Sequence, residues 1–219
     1  MNIQLGAGTK PLRGFVNIDL RDFPGTIKGH AHDIPVDSGT VDLLFSNAMF
    51  EHLFLAQQVM ALKEWERVLA PEGVVVCTGI PDFEGVARAY LNREPGITRE
   101  TFDLLEAYRY THGYPEHYQD DSNQWLTWSP GDHPDDCPAG WLPQLHKAIF
   151  DAESIVGFCR ASCDMKVTVV RYCYPGETLA LTLGFVAGHI AHDPVEALRR
   201  VPGIGAYIDF GMLEVVSCP

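Results

Sequence analysis

Two glycines and an acid carry the first chemical information in this chain. Asn2-Ile3-Gln4-Leu5 reads as an apolar strand running into Gly6-Ala7-Gly8, and a second strand-like run, Phe15-Val16-Asn17-Ile18, ends at Asp19. Glycines at the carboxyl end of a first strand let backbone approach a ligand without Cβ interference, and an acid at the tip of the second can accept hydrogen bonds from a ribose diol. That pairing points to a nucleoside cofactor. The distance from Gly8 to Asp19 is too short for the strand, full helix and strand of a dinucleotide fingerprint, in which the acid lies roughly 20 residues on. A nicotinamide dehydrogenase, which normally also carries a third glycine, is therefore disfavoured.

A second chemical grouping lies between residues 95 and 143. It holds Tyr108, Tyr110, Tyr114, Tyr118, Trp125, Trp128 and Trp141 beside Asp120-Asp121 and Asp132-His133-Pro134-Asp135-Asp136. Rings can cover the apolar face of a sugar while carboxylates accept its hydroxyl protons. The same residues could equally form an irregular cap that packs its own aromatics. A stretch of this length with little periodicity reads as a lid or substrate loop inserted in one domain, residues 1–219.

Composition narrows the partners. The chain has 219 residues, is 46% hydrophobic and 21% charged, and carries a formal net charge of −13. It can bury a real core. Such a charge disfavours nucleic acid and anionic membrane surfaces, which bring phosphates that a basic face would have to neutralise. No basic cluster stands out along the sequence. No apolar run is long enough to span a bilayer and no signal-peptide pattern opens the chain, so a cytoplasmic protein is expected. The six cysteines lack a Cys-x-x-Cys pair, which fits reduced thiols. Cys159 and Cys163 share a helical face as core packing.

The elements that must position these groups alternate. Val41-Asp42-Leu43-Leu44-Phe45 predicts a buried strand ending at Ser46-Asn47, and Leu55 to Leu69 carries apolar residues at helical period. Val74 to Thr78 is a β-branched strand, followed by a helix over about Phe83 to Arg93. Asp151 caps a further helix to Cys163, and Met165–Cys173 and Thr178–Val186 predict an antiparallel hairpin around Pro175-Gly176 at a sheet edge. The tail from Pro194 suggests a short helix and an extended run of unreadable role. Alternation of this kind implies an α/β, doubly wound, mostly parallel seven-stranded sheet, with its ligand crevice beyond the carboxyl ends of the strands.

Leu5-Gly6-Ala7-Gly8, Gly14-Phe15-Val16-Asn17-Ile18-Asp19, the run from Val41 to Leu53, the run from Leu62 to Gly73, and Ile80-Pro81-Asp82 together resemble class I S-adenosylmethionine-dependent methyltransferases of the type 11 group. Bacterial members of that group often serve polysaccharide or natural-product pathways. The resemblance covers about residues 1–83. It implies that Gly6, Ala7 and Gly8 face the methionine part of S-adenosylmethionine, that Asp19 binds the ribose, that Asp33 and Ile34 hold the adenine, and that Asn47 lines the floor near the sulfonium. Lys10 stands where a third glycine is usual, so Lys10 and Arg13 could meet the cofactor carboxylate or solvent. Glu51-His52 matches the group's acid–histidine pair and also reads as a helix-start acid with a packed histidine. Gln144 to Asp151 resembles a histidine-bearing stretch that precedes the late helix, which brings His146 to the site.

The reaction this implies is O-methylation of a saccharide or sugar-containing small molecule. A sulfonium methyl is already activated, so alignment is the main task. A hydroxyl acceptor must also lose a proton, and His146 is the expected general base, ahead of His112, His117 and His52. Some resembling sugar O-methyltransferases use Mg2+, for which Asp82, Asp120 and Asp121 are the expected oxygen ligands. The expected partner is a small-molecule or oligosaccharide acceptor, and a homodimer stays open. The alternative is a non-catalytic methyltransferase-like module that uses its pocket or lid for protein contact.

Overall fold

The structure is a computed structural model and describes residues 1–97, 100–113, 117–119, 125–127 and 146–216. Strands β1 (Asn2–Leu5), β2 (Val16–Asp19), β3 (Ile27–Lys28), β4 (Val41–Asn47) and β5 (Leu69–Pro81) pair in parallel, in the order β5-β4-β1-β2-β3. A separate antiparallel pair, β6 (His117–Gln119) with β7 (Trp125–Thr127), stands outside this sheet. Strands β8 (Lys166–Tyr172), β9 (Thr182–Gly188) and β10 (Glu214–Val216) extend it antiparallel, so the full order is β10-β8-β9-β5-β4-β1-β2-β3. The sheet has eight strands where seven were expected. The hairpin is formed by β8 and β9 but is no edge: β9 inserts against β5, and β10, the extended run of the tail, closes the border.

Strand residues alternate between two apolar faces, as a pleated sheet requires. One face holds Ile3, Leu5, Ile18, Leu44, Val75, Cys77 and Phe185 under helices α1 (Leu55–Val68) and α4 (Ala152–Ser162). Helices α2 (Phe83–Asn92) and α3 (Leu104–His112) pack on each other beside the sheet. Trp65 of α1 is fully buried there and packs against Phe50 and Phe185. The other face holds Leu43, Phe45, Val74, Val76, Val170, Tyr172 and Val186. Its cover is Ala197 and Leu198 of the short helix α5 (Pro194–Arg199) with Val201, Ile204 and Ile208 that follow.

No helix separates β1 from β2, as the short spacing predicts, and none separates β2, β3 and β4. In place of the first crossover helix, residues 9–15 form a loop held by two buried amides. Gln4 Oε1 and Asn17 Oδ1 both accept from the Leu12 N–H, Gln4 Nε2 donates to Lys10 O, and Asn17 Nδ2 donates to Leu12 O and Phe15 O. Backbone groups that a helix would have paired internally thus find side-chain partners. Leu12 and Phe15 then join the second face.

Residues 95–143 are not wholly irregular, since α3 falls within them. Asp103 caps it by accepting from Leu105 N–H and Glu106 N–H. Tyr114, Trp128 and Trp141 of the aromatic grouping lie outside the described residues. Cys77, Cys159, Cys163 and Cys173 are free thiols, and no helix among the described residues is long and apolar enough to cross a membrane.

Candidate functional site

A cavity of about 670 Å3 opens at the carboxyl ends of β1, β2 and β4, in the range typical of small-molecule sites. Gly6, Gly8 and Asp19 form part of its wall. Gly6 has φ +66°, and a Cβ there would lie 2.8 Å from Met49 Cγ, while Gly8 has φ +52° and a Cβ on it would meet open space. A side chain at position 6 would displace the cavity wall, and one at position 8 would take up ligand volume. Gly8 N–H donates to Asp19 Oδ2 at 2.8 Å and Arg21 N–H to Asp19 Oδ1 at 2.9 Å. These bonds fix the carboxylate at the tip of β2, and each oxygen keeps a further lone pair for a ribose hydroxyl. The glycine cradle, the oriented acid and the cavity size fit S-adenosylmethionine.

Asp33 and Ile34 do not line this cavity. Ile34 is buried against α1, its N–H donating to Glu64 Oε1 at 2.8 Å, and its carbonyl accepting from Arg67, while Trp65 Nε1 donates to Ala31 O. The Arg67 guanidinium holds the Glu64 carboxyl below its ordinary range. Clamped in this way, the loop presents Gly29 to His32 to the cavity instead, with the His30 and His32 rings 5.0 Å apart. Asn47 also stands outside the lining, accepting from Thr78 Oγ1 at 2.9 Å, and the next two residues, Ala48 and Met49, form the wall. Ala48 has φ +48°, a left-handed conformation uncommon for a residue with a Cβ. Ala7 is buried between the two cavity glycines.

His146 lines the cavity, as does His52, and their ring centroids are 4.9 Å apart at 72°. The His146 N–H donates to His112 O, and the next two amides, Lys147 and Ala148, both donate to Glu51 O. This ties the segment leading into α4 to the 3-10 turn Phe50–His52 after β4. Glu51 lies beneath the imidazoles, its side chain 1% exposed and Oε1 3.6 Å from His52 Nε2. Burial pushes the Glu51 carboxyl up to about 8. Burial also pulls His146 down to about 4, opposed only in part by the carbonyls of Thr111 and Tyr110. The imidazole is therefore neutral at physiological pH and keeps a lone pair.

Asp82 has another task. It is fully buried, its Oδ2 accepts from Arg171 Nε, and it does not line the cavity. Burial raises its carboxyl while the Arg171 guanidinium opposes the shift, and Arg171 also reaches Glu84. An acid committed to an arginine across the sheet is a structural ion pair rather than an Mg2+ ligand. Asp120 and Asp121 lie outside the described residues.

The fold also assembles what no stretch of sequence displays. Arg21, His30, His32, His52, His146 and Lys147 converge on this cavity in a strongly acidic protein. They come from four distant segments, so only the strand ends shared by those segments could have signalled it.

Residues 13–77 match the family model described as a methyltransferase domain. The CcbJ methyltransferase from Streptomyces caelestis superposes with a TM-score of 0.53 at 12% identity, over 87% of this chain and 83% of that one. An S-adenosylmethionine-dependent methyltransferase from Thermotoga maritima, described as a possible histamine N-methyltransferase, superposes with a TM-score of 0.51 at 13% identity, over 86% and 81%. One from Clostridium acetobutylicum gives 0.51 at 8% identity, over 85% and 82%. No curated protein matches the chain. The sheet order and these superpositions are those of the Rossmann-like methyltransferase fold.

Proposed function

We propose that the protein transfers the methyl group of S-adenosylmethionine to a hydroxyl of a small molecule, a saccharide or sugar-containing compound. The observation that carries this reading is the neutral His146 imidazole in the same cavity as Gly6, Gly8 and Asp19. Gly6, Gly8 and Asp19 hold the cofactor. Positioning the acceptor in line with the sulfonium methyl is worth about 7 to 11 kcal/mol in favourable cases. The acceptor oxygen attacks the methyl carbon, the C–S bond breaks to leave neutral S-adenosylhomocysteine, and His146 receives the hydroxyl proton. The aromatic and acidic composition of residues 95–143 suits a sugar acceptor.

Calorimetry with S-adenosylmethionine, followed by methyl transfer to matched panels of sugar hydroxyls and amines, tests this. We expect cofactor binding by the wild type, its loss in Asp19→Ala, and retained binding without turnover in His146→Ala. Absence of cofactor binding would overturn the methyltransferase reading, and transfer confined to amines would overturn the hydroxyl acceptor. Full cellular function of His146→Ala would favour a non-catalytic binding module.

A further inference from the structure

Glu51, His52 and His146 offer one carboxylate oxygen and two imidazole nitrogens that all lie within 4.8 Å of one another. Each comes from a backbone position already fixed: Glu51 and His52 from the turn after β4, and His146 from the segment whose next two amides bond Glu51 O. Two buried atoms of this group have no hydrogen-bond partner, Glu51 Oε2 and His146 Nδ1. Leaving such atoms unsatisfied is destabilising, more so for a charged one. A cation that takes an electron pair from each would remove that cost.

We propose that Glu51, His52 and His146 form a binding site for one divalent transition-metal ion of the zinc class. Two imidazoles and one carboxylate are a borderline donor set that suits Zn2+, Co2+, Mn2+ or Fe2+, whereas Mg2+ favours oxygen ligands and keeps its water. Donors 2.1 Å from a common tetrahedral ion stand about 3.4 Å apart, so the three atoms must draw in from within 4.8 Å of one another. Three protein ligands leave a coordination position open toward the cavity that His52 and His146 line. The inference rests on the methyltransferase reading for its consequence and changes one part of it. An imidazole engaged by a cation cannot also take a proton. The ion would instead bind and acidify the acceptor hydroxyl, whose proton then passes to water as the O–CH3 bond forms and the C–S bond breaks.

The test uses tag-free, full-length protein stripped with a chelator and titrated with Zn2+ by calorimetry in the absence of S-adenosylmethionine. We expect one equivalent bound by the wild type, affinity reduced at least about 100-fold in His146→Ala and Glu51→Gln, and no change in His189→Gln, a solvent-exposed control. Substoichiometric Mn2+ should broaden the imidazole NMR signals of His52 and His146 selectively, a readout that needs no variant. Absence of stoichiometric Zn2+ binding, undiminished binding in His146→Ala, broadening of other histidines alone, or equal affinity for Mg2+ would each overturn the site. Zn2+ binding without S-adenosylmethionine binding would keep the site and remove the methyltransferase reading. Cofactor binding without Zn2+ binding would do the reverse.

Discussion

The two faces of the central sheet reach the same dryness by different means. One is covered by α1 and α4, helices of 14 and 11 residues with continuous apolar stripes. The other has α5, of 6 residues, a run of turns to Ile208, and a loop held by the amides of Gln4 and Asn17. The difference teaches that this sheet does not need early crossover helices. It needs their apolar cover and a partner for every backbone group, and a loop, two polar side chains and a distant tail can supply both.

Ending the chain at Asp193 is the severest way to break the comparison. It removes α5, β10 and the turns between, uncovering Leu43, Phe45, Val74 and Val76, and we expect the cooperative thermal transition to vanish; a wild-type-like melt would show the tail to be decoration. Next come single truncations on each side. Trp65→Ala should cost about 3 to 5 kcal/mol and Leu198→Ala about 2 to 5 kcal/mol in denaturant unfolding, both side chains being fully buried. A Leu198→Ala cost below about 1 kcal/mol would mean that the tail covers the sheet without stabilising it. Asn17→Leu should cost about 1 to 3 kcal/mol, because the Leu12 and Phe15 carbonyls lose their donor, and it should loosen the 9–15 loop in hydrogen exchange. The smallest effects belong to the helix caps. Asp151→Ala at α4 and Asp193→Ala at α5 each remove one acceptor and should each lower stability by about 1 kcal/mol, a matched pair that reads the two covers on a common scale.

The regular face was legible in advance because its signals are local. Apolar period 3.6 over Leu55–Val68, the Asp151 cap and the β-branched run of β5 each declare an element within a dozen residues. Gly6, Gly8 and Asp19 were legible because strand ends nominate the crevice, and His146 entered by resemblance to a known family. The second face was less legible, because its cover, Leu198, Val201, Ile204 and Ile208, packs on strands from both ends of the chain, β4 and β5 as well as β8 and β9. Their spacing of three, three and four was nonetheless a readable amphipathic hint. Helix α3 falls within the stretch that reads as a lid, although Asp103 and Glu106 form the acid-x-x-Glu start signature. The resemblance puts Asp33 and Ile34 at the adenine, and nothing local reveals that Glu64, Trp65 and Arg67 pull that loop onto α1. The role of Glu51 depends on His146, ninety-five residues away, and no spacing rule links them.

The late position of the second cover bears on how the chain is made. During synthesis, β1 through β9 leave the ribosome before Pro194 to Ile208 do, so the nascent sheet carries one finished face and one bare apolar face for the time needed to add those residues. At about 5 to 20 residues per second that interval is on the order of one to a few seconds, long compared with hydrophobic collapse. The half-covered domain is the species that chaperones or a second nascent copy would meet. Rare codons or a stalled ribosome just before residue 194 would lengthen its exposure and lower the yield of native protein without altering a single amino acid.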